Sequence, residues 1–275
     1  MIKLQYTFKT DTLFKMLFVK NPELLKHFIA VLLGITVESI ETFEILNPEM
    51  PPNAIGEKFC RLDIHMTVNG QRVDLEIQVE DEGDYPERAI YYWARDFSSA
   101  LLAGQRYSDL PRTIIVSILN FSLFDCGEYH SHFEILETER HSRLSDKMGL
   151  HFYELPKLPA EFSEKNMLLL WLSLFKADTK EELEKIQALE VPVMNQAINA
   201  YYTITASSEF REMERLREKA GHDEAQALYH AQQKGEEKGR REKAFDVARG
   251  MKEMGLPLDQ IARLTELSYT EVEAL

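Results

Sequence analysis

Phe59-Cys60-Arg61-Leu62-Asp63-Ile64-His65-Met66-Thr67-Val68, then Asn69-Gly70, then Gln71-Arg72-Val73-Asp74-Leu75-Glu76-Ile77-Gln78-Val79 is the stretch whose reading decides the fold. Asn-Gly between two alternating runs is the strongest short-range hairpin signal, because both turn residues tolerate positive φ. A two-residue loop fixes the register. Val68 faces Gln71, and continuing along both strands His65 faces Asp74, Asp63 faces Glu76 and Arg61 faces Gln78. The alternate positions Leu62, Ile64, Met66, Val73, Leu75, Ile77 and Val79 form an apolar face that belongs to a core. The polar face sets two carboxylates directly across from each other, roughly 5 Å apart at Cα. Like charges so placed are destabilising. A bound divalent cation is the usual offset for clustered carboxylates.

Composition narrows the setting. The chain has 275 residues, 44% of them hydrophobic, enough for one large domain or two small ones. Its net charge of -14 argues against nucleic-acid binding through a broad basic surface, since affinity there comes mainly from Lys and Arg meeting phosphates. It leaves open local contacts and an acidic site that meets phosphate through metal. Two cysteines, Cys60 and Cys126, give neither a disulfide framework nor a Cys-rich zinc site. The N-terminal residues do not read as a signal peptide, and no apolar run is long enough to span a bilayer. The expectation is a cytosolic protein with no membrane partner.

Around the hairpin, Thr10 or Asp11 caps a first helix running to about Leu33, with Pro22 breaking or kinking it. A strand is expected near Ser39–Leu46, and a proline-marked loop over Asn47–Pro52. After the acidic loop Glu80–Asp84, Pro86 suits the first turn of a helix reaching Ala103, ended by Gly104. The nearly continuous apolar run in Arg112–Phe121 predicts a strand buried on both faces. Further strands are expected at His132–Glu137 and Leu150–Leu155. From Glu164 onward the pattern is helical: Lys165–Phe175, Lys180–Leu189, Val193–Tyr202, then a charged Glu209–Arg249 interrupted at Gly221, Gly235 and Gly239. The tail reads as two small helices, the second capped by Ser268 with Glu271 completing a capping box.

The order helix, strand, hairpin, helix, strand, with Asp63 and then Glu76-Ile77-Gln78, resembles the PD-(D/E)XK nuclease superfamily. More narrowly, the chain resembles the Rpn recombination-promoting nucleases, also called PD-(D/E)XK nuclease family transposases. The matching stretches are Asp11-Thr12-Leu13-Phe14-Lys15, Leu62-Asp63-Ile64, Glu76-Ile77-Gln78, Arg88 with Tyr91-Tyr92, Gly104-Gln105-Arg106-Tyr107 and Tyr153-Glu154-Leu155-Pro156-Lys157. The tail resembles that family's closing helical motif.

The resemblance implies an α/β fold: a restriction-endonuclease-like mixed sheet flanked by helices, followed by an all-helical C-terminal region. Residues 1–205 would form the nuclease-like domain, its sheet core ending near 157, and 206–275 a charged helical extension with a terminal helix pair. It implies that Asp63, Glu76 and Gln78 are catalytic, and that Asp63, Glu76 and the carbonyl of Ile77 hold Mg²⁺ or Mn²⁺. Asp11, Lys15, Arg88 and Tyr92 are accessory candidates. Gln78 stands where the pattern has lysine. Gln also occurs there in members of the family. It can orient a water but supplies no charge and is no base.

The implied activity is metal-dependent hydrolysis of DNA phosphodiester bonds, linked to recombination, mobile elements or phage defence. A catalytically degenerate interaction protein and an RNase on the same fold are the alternatives. The blander readings stand beside these. The polar face of the hairpin reads equally as a wet sheet surface. His65 reads as a site pair with Asp74 or, more commonly, as a partly exposed histidine bonded to a neighbour, Asp74 as an outer acid or a surface charge, Asp11 as an N-cap, and Lys15 as solvent-facing or phosphate-contacting. Arg88, Tyr92 and Arg95 share a helical side that either meets phosphates or seals the helix onto the sheet. The tail is read as a partner-docking or dimerising element, which would make a homo-oligomer through the C-terminal helices.

Overall fold

The computed structural model describes residues 2–47, 49–50, 60–61 and 63–275. The hairpin forms as β4 (Ile64–Val68) and β5 (Gln71–Gln78), with the predicted register running from Val68 opposite Gln71 to Ile64 opposite Leu75. Asn69 and Gly70 both take positive φ, 48° and 75°, the backbone that matches the twist of the flanking strands. Asn69 also ties down the preceding segment, because its side chain accepts from the N–H groups of Glu41 and Thr42 and donates to the carbonyl of Ser39.

The ladder stops one step short of the expected pairing. Asp63 lies in a bend before β4, and its carboxylate, rather than a main-chain carbonyl, accepts the N–H of Ile77. A side chain has replaced the next ladder bond. Arg61 therefore does not face Gln78. It belongs to β3 (Cys60–Arg61), which pairs with β2 (Glu49–Met50) inside the expected proline loop, Arg61 opposite Glu49. Leu62, assigned to the core by its alternation, lies outside the described residues.

Among the described residues the main sheet has six strands in the order β1-β4-β5-β6-β8-β7. These include β1 (Phe43–Ile45), β6 (Thr113–Leu119), β7 (His130–Phe133) and β8 (Met148–Glu154). β5, β6 and β8 run parallel, and the remaining pairings are antiparallel. Every residue of β6 is buried, as its apolar run requires. Among the described residues β1 and β7 are the edge strands; β1 is shorter than its predicted span, and β7 is shorter and starts two residues earlier.

Helices cover both faces. Pro22 does break the first helix, giving α1 (Asp11–Lys20) and α2 (Pro22–Leu33). These pack with α4 (Met167–Lys176), α5 (Lys180–Gln187) and α6 (Pro192–Ala206) on the face carrying Val73, Leu75, Ile77, Ile114, Val116 and Ile118. Phe14, Phe18, Phe28, Trp171 and Phe175 form a contiguous aromatic group there. Each such buried ring contributes roughly 1.5–3 kcal/mol of transfer free energy. On the opposite face α3 (Tyr85–Ser99) packs through Tyr85 and Ala89 on Ile115, Leu119, Leu150 and Phe152. It ends four residues before the expected Ala103.

The chain divides into two compact units, Met1–Arg211 and Glu212–Leu275. Helix α7 (Ser208–Glu253) is continuous over 46 residues, so the glycines at 221, 235 and 239 do not interrupt it. Within the second unit, α8 (Leu258–Thr265) and α9 (Tyr269–Glu273) bury Ile261, Leu267 and Val272 with Ala248. The Ser268–Glu271 capping box is present as predicted. Among the described residues no helix is long and apolar enough to cross a membrane.

Candidate active site

The site is assembled at the end of the hairpin. Strand alternation sends Asp74, Glu76 and Gln78 to the face opposite the apolar core. The bend before β4 brings in Asp63, and α1 brings in Lys15. Asp63 and Glu76 are locked by reciprocal bonds: the N–H of Asp63 donates to Glu76 Oε1 at 2.9 Å, and the N–H of Ile77 donates to Asp63 Oδ2 at 2.9 Å. Lys15 Nζ lies 3.0 Å from Asp63 Oδ1 and 2.7 Å from Asp11 Oδ1. Gln78 Nε2 donates toward Glu76 Oε2 at 3.4 Å, while Gln78 Oε1 accepts from Arg88 at 3.0 Å. Arg88 also bonds Glu82 and lies over the Tyr85 ring. Tyr85 donates its hydroxyl to Ser117 Oγ.

Burial governs the electrostatics. Glu76 is only 2% exposed, and burial followed by the charge of Asp63 pushes its carboxyl well above the usual range. Burial raises Asp63 too, against the opposing pull of Lys15 and the Ile77 N–H. Burial works against the charge on Lys15, but the carboxylates of Asp63 and Asp11 outweigh it, and its pKa is raised. The two acids are thus held close at an energetic cost that a cation would relieve.

A hard cation fits the donors present. Among the described residues Glu76 Oε2 has one long hydrogen bond, from Gln78. In an extended strand the N–H and C=O of one residue point to the same side, so the carbonyl of Ile77 shares the side on which its N–H meets Asp63. Two carboxylates and a carbonyl are the oxygen donors that Mg²⁺ or Mn²⁺ take.

The accessory residues divide. Asp11 is the first residue of α1 rather than its N-cap, and it joins the site through Lys15. Lys15 is neither purely solvent-facing nor distant, and Arg88 reaches the site through Gln78. Tyr92 packs against the hydrophobic cluster under α3. The polar face is not a wet surface: α3 covers it, and His65 and Asp74 are buried. They meet Asp96, which sequence reasoning passed over. A signal for it existed, because Asp96 stands seven residues after Ala89 on the buried side of an amphipathic helix. Burial, then the charges of Asp96 and Glu76, raise the Asp74 carboxyl well above its ordinary value.

A family model described as PD-(D/E)XK nuclease family transposase matches residues 8–231. The matched span contains Lys15, Asp63, Glu76, Gln78 and Arg88, whereas α8 and α9 lie beyond it. No curated protein and no solved structure matches the chain.

Proposed function

The chain belongs to the PD-(D/E)XK nuclease family transposases, and we propose that it is a metal-dependent endonuclease that hydrolyses DNA phosphodiester bonds, serving recombination, mobile elements or phage defence. One observation supports this above the rest: Asp63 and Glu76 fix each other through main-chain N–H groups, with Lys15 set against Asp63. Asp63, Glu76 and the carbonyl of Ile77 would hold Mg²⁺ or Mn²⁺, which supplies Lewis acidity toward a phosphate oxygen and the attacking water. Lys15 provides the positive charge that Gln78 lacks, and it stabilises negative charge developing on the phosphoryl group. Gln78 orients water with its amide while Arg88 fixes the position of that amide. Asp11 holds Lys15 in place.

In this reading residues 1–205 are the nuclease domain, and 206–275 are a helical extension used for assembly or targeting. The compartment is the cytosol, in keeping with the exposed free thiol of Cys126. The test is cleavage of supercoiled DNA with Mg²⁺, Mn²⁺ or chelator, beside Asp63→Ala. Metal-dependent nicking that Asp63→Ala abolishes is the expected result. Cleavage that RNA competes away in preference to DNA points instead to an RNase. Absence of both cleavage and metal-induced stabilisation points to a non-catalytic interaction protein.

A further inference from the structure

A second group of metal-ligand residues lies under α3, outside the set assigned to catalysis. His65 from β4, Asp74 from β5 and Asp96 from α3 are 6%, 0% and 0% exposed. Each offers one donor atom, and the three atoms lie within 4.8 Å of one another. His65 Nε2 is 3.2 Å from Asp96 Oδ1 and 3.6 Å from Asp74 Oδ1. A tetrahedral ion with bonds of about 2.0–2.2 Å sets its ligands roughly 3.3–3.6 Å apart.

The hydrogen-bond accounting points the same way. Arg72 donates to Asp96 Oδ1, to the Asp96 carbonyl and to Ser99. That leaves Asp74 Oδ1 and Oδ2, Asp96 Oδ2 and His65 Nε2 buried with no hydrogen-bond partner among the described residues. His65 Nδ1 lies 3.4 Å from the carbonyl of Asn47. A proton on Nδ1 serves that carbonyl and turns the lone pair of Nε2 toward the two carboxylates. Metal-bound histidines are oriented by this kind of outer bond. A proton on Nε2, or one shared between the Asp74 and Asp96 carboxyls, would satisfy part of this set and leave the remaining atoms orphaned, which is costly when both carboxylates are fully buried. One divalent cation meets Nε2 and both carboxylates together.

We propose that His65, Asp74 and Asp96 bind a divalent transition-metal ion, with zinc the best fit to one imidazole and two carboxylates and a water completing its tetrahedron. The ion pins α3 onto the hairpin and thereby fixes the helix that carries Arg88. The proposal does not depend on the nuclease reading, since it uses none of the residues assigned to catalysis.

The experiment uses full-length protein in a Glu76→Gln background, which removes the acid pair as a competing site. Chelator-stripped protein is titrated with Zn²⁺ by calorimetry and with Co²⁺ by visible absorption. Asp74→Asn, Asp96→Asn and His65→Gln are each added in turn, with circular dichroism as the folding control. Binding of a single zinc per chain, with a tetrahedral cobalt spectrum, is expected. Loss of an outer partner already weakens such sites about 10–100-fold, so each ligand substitution is expected to weaken zinc by more than roughly 100-fold. No zinc binding in the Glu76→Gln protein overturns the proposal. So does an octahedral cobalt spectrum, or zinc affinity unchanged in the folded substituted proteins; a shared proton would then be the occupant. Because the readout is metal binding in a protein expected not to cleave, failure here leaves the nuclease assignment standing, and the reverse also holds.

Discussion

Lys15 Nζ stands 3.0 Å from Asp63 Oδ1, so a lysine from the first helix meets the acid at the mouth of the hairpin. The strand that carries Glu76 has Gln78 where the pattern has lysine. The positive charge missing from β5 therefore reaches the same acids from α1. That relationship makes the lysine a more informative target than the glutamine.

Lys15→Met is expected to lower cleavage by roughly 10²–10³-fold, the usual loss when one charge stabiliser is removed. Mn²⁺ binding should be kept or strengthened, because Asp63 loses a competing cation. Single-turnover cleavage beside Mn²⁺-dependent melting separates the two effects. Weaker Mn²⁺ binding would count against this role.

Glu76→Gln should abolish metal-dependent cleavage and raise the melting temperature of the metal-free protein. Burial and Asp63 both oppose charge on Glu76, whereas a glutamine oxygen can still accept the Asp63 N–H. The rise in melting temperature that Mn²⁺ gives the wild type should shrink or vanish, since a ligand stabilises only what it binds. Thermal melts with Mn²⁺ and with chelator measure both.

Gln78→Lys should lower activity rather than restore the family pattern. Gln78 Oε1 accepts from Arg88 at 3.0 Å, so an ammonium placed there meets a guanidinium. Adding Arg88→Gln should recover part of the loss. A gain in cleavage from Gln78→Lys alone would show that Arg88 does not occupy this position in the working enzyme.

Stability should fall below neutral pH through the histidine stack on β7 and β8. His132 and His151 stack at 4.0 Å between ring centroids, and His130 Nε2 is 3.1 Å from His151 Nδ1. Burial, then the neighbouring histidines, lower His151 from 6.5 to about 3. The unfolded chain therefore binds more protons between these values. The stabilisation is full above 6.5 and is lost as pH falls toward about 3. His151→Phe should flatten that part of the profile in chemical denaturation.

Ile261→Asp should unravel the terminal helix pair and leave cleavage of short DNA unchanged. Ile261 is fully buried in the small cluster with Ala248, Leu267 and Val272, and an unpaired carboxylate there costs several kcal/mol. Light scattering should report a change of assembly. Equal mass in both proteins together with lost cleavage would place the tail in the catalytic machinery.

The sequence by itself determined the hairpin, its turn and its register from Ile64 to Val68, because alternation and Asn69-Gly70 are local instructions. It determined the buried run of β6, the break at Pro22 and the Ser268 cap for the same reason. It also singled out Asp63 and Glu76, whose spacing about the turn brings them together. Tertiary structure decided what no local rule contains. It ended the ladder at Asp63 by giving the Ile77 N–H a carboxylate partner. It brought Lys15 from a helix far earlier in the chain to that carboxylate, and it buried a polar face that alternation alone leaves open to water. Asp96 joined His65 and Asp74 only when α3 docked on the sheet. Strand periodicity reports which way a side chain points from its own backbone. Whether water, a helix or a distant charge lies in that direction depends on how separate elements pack.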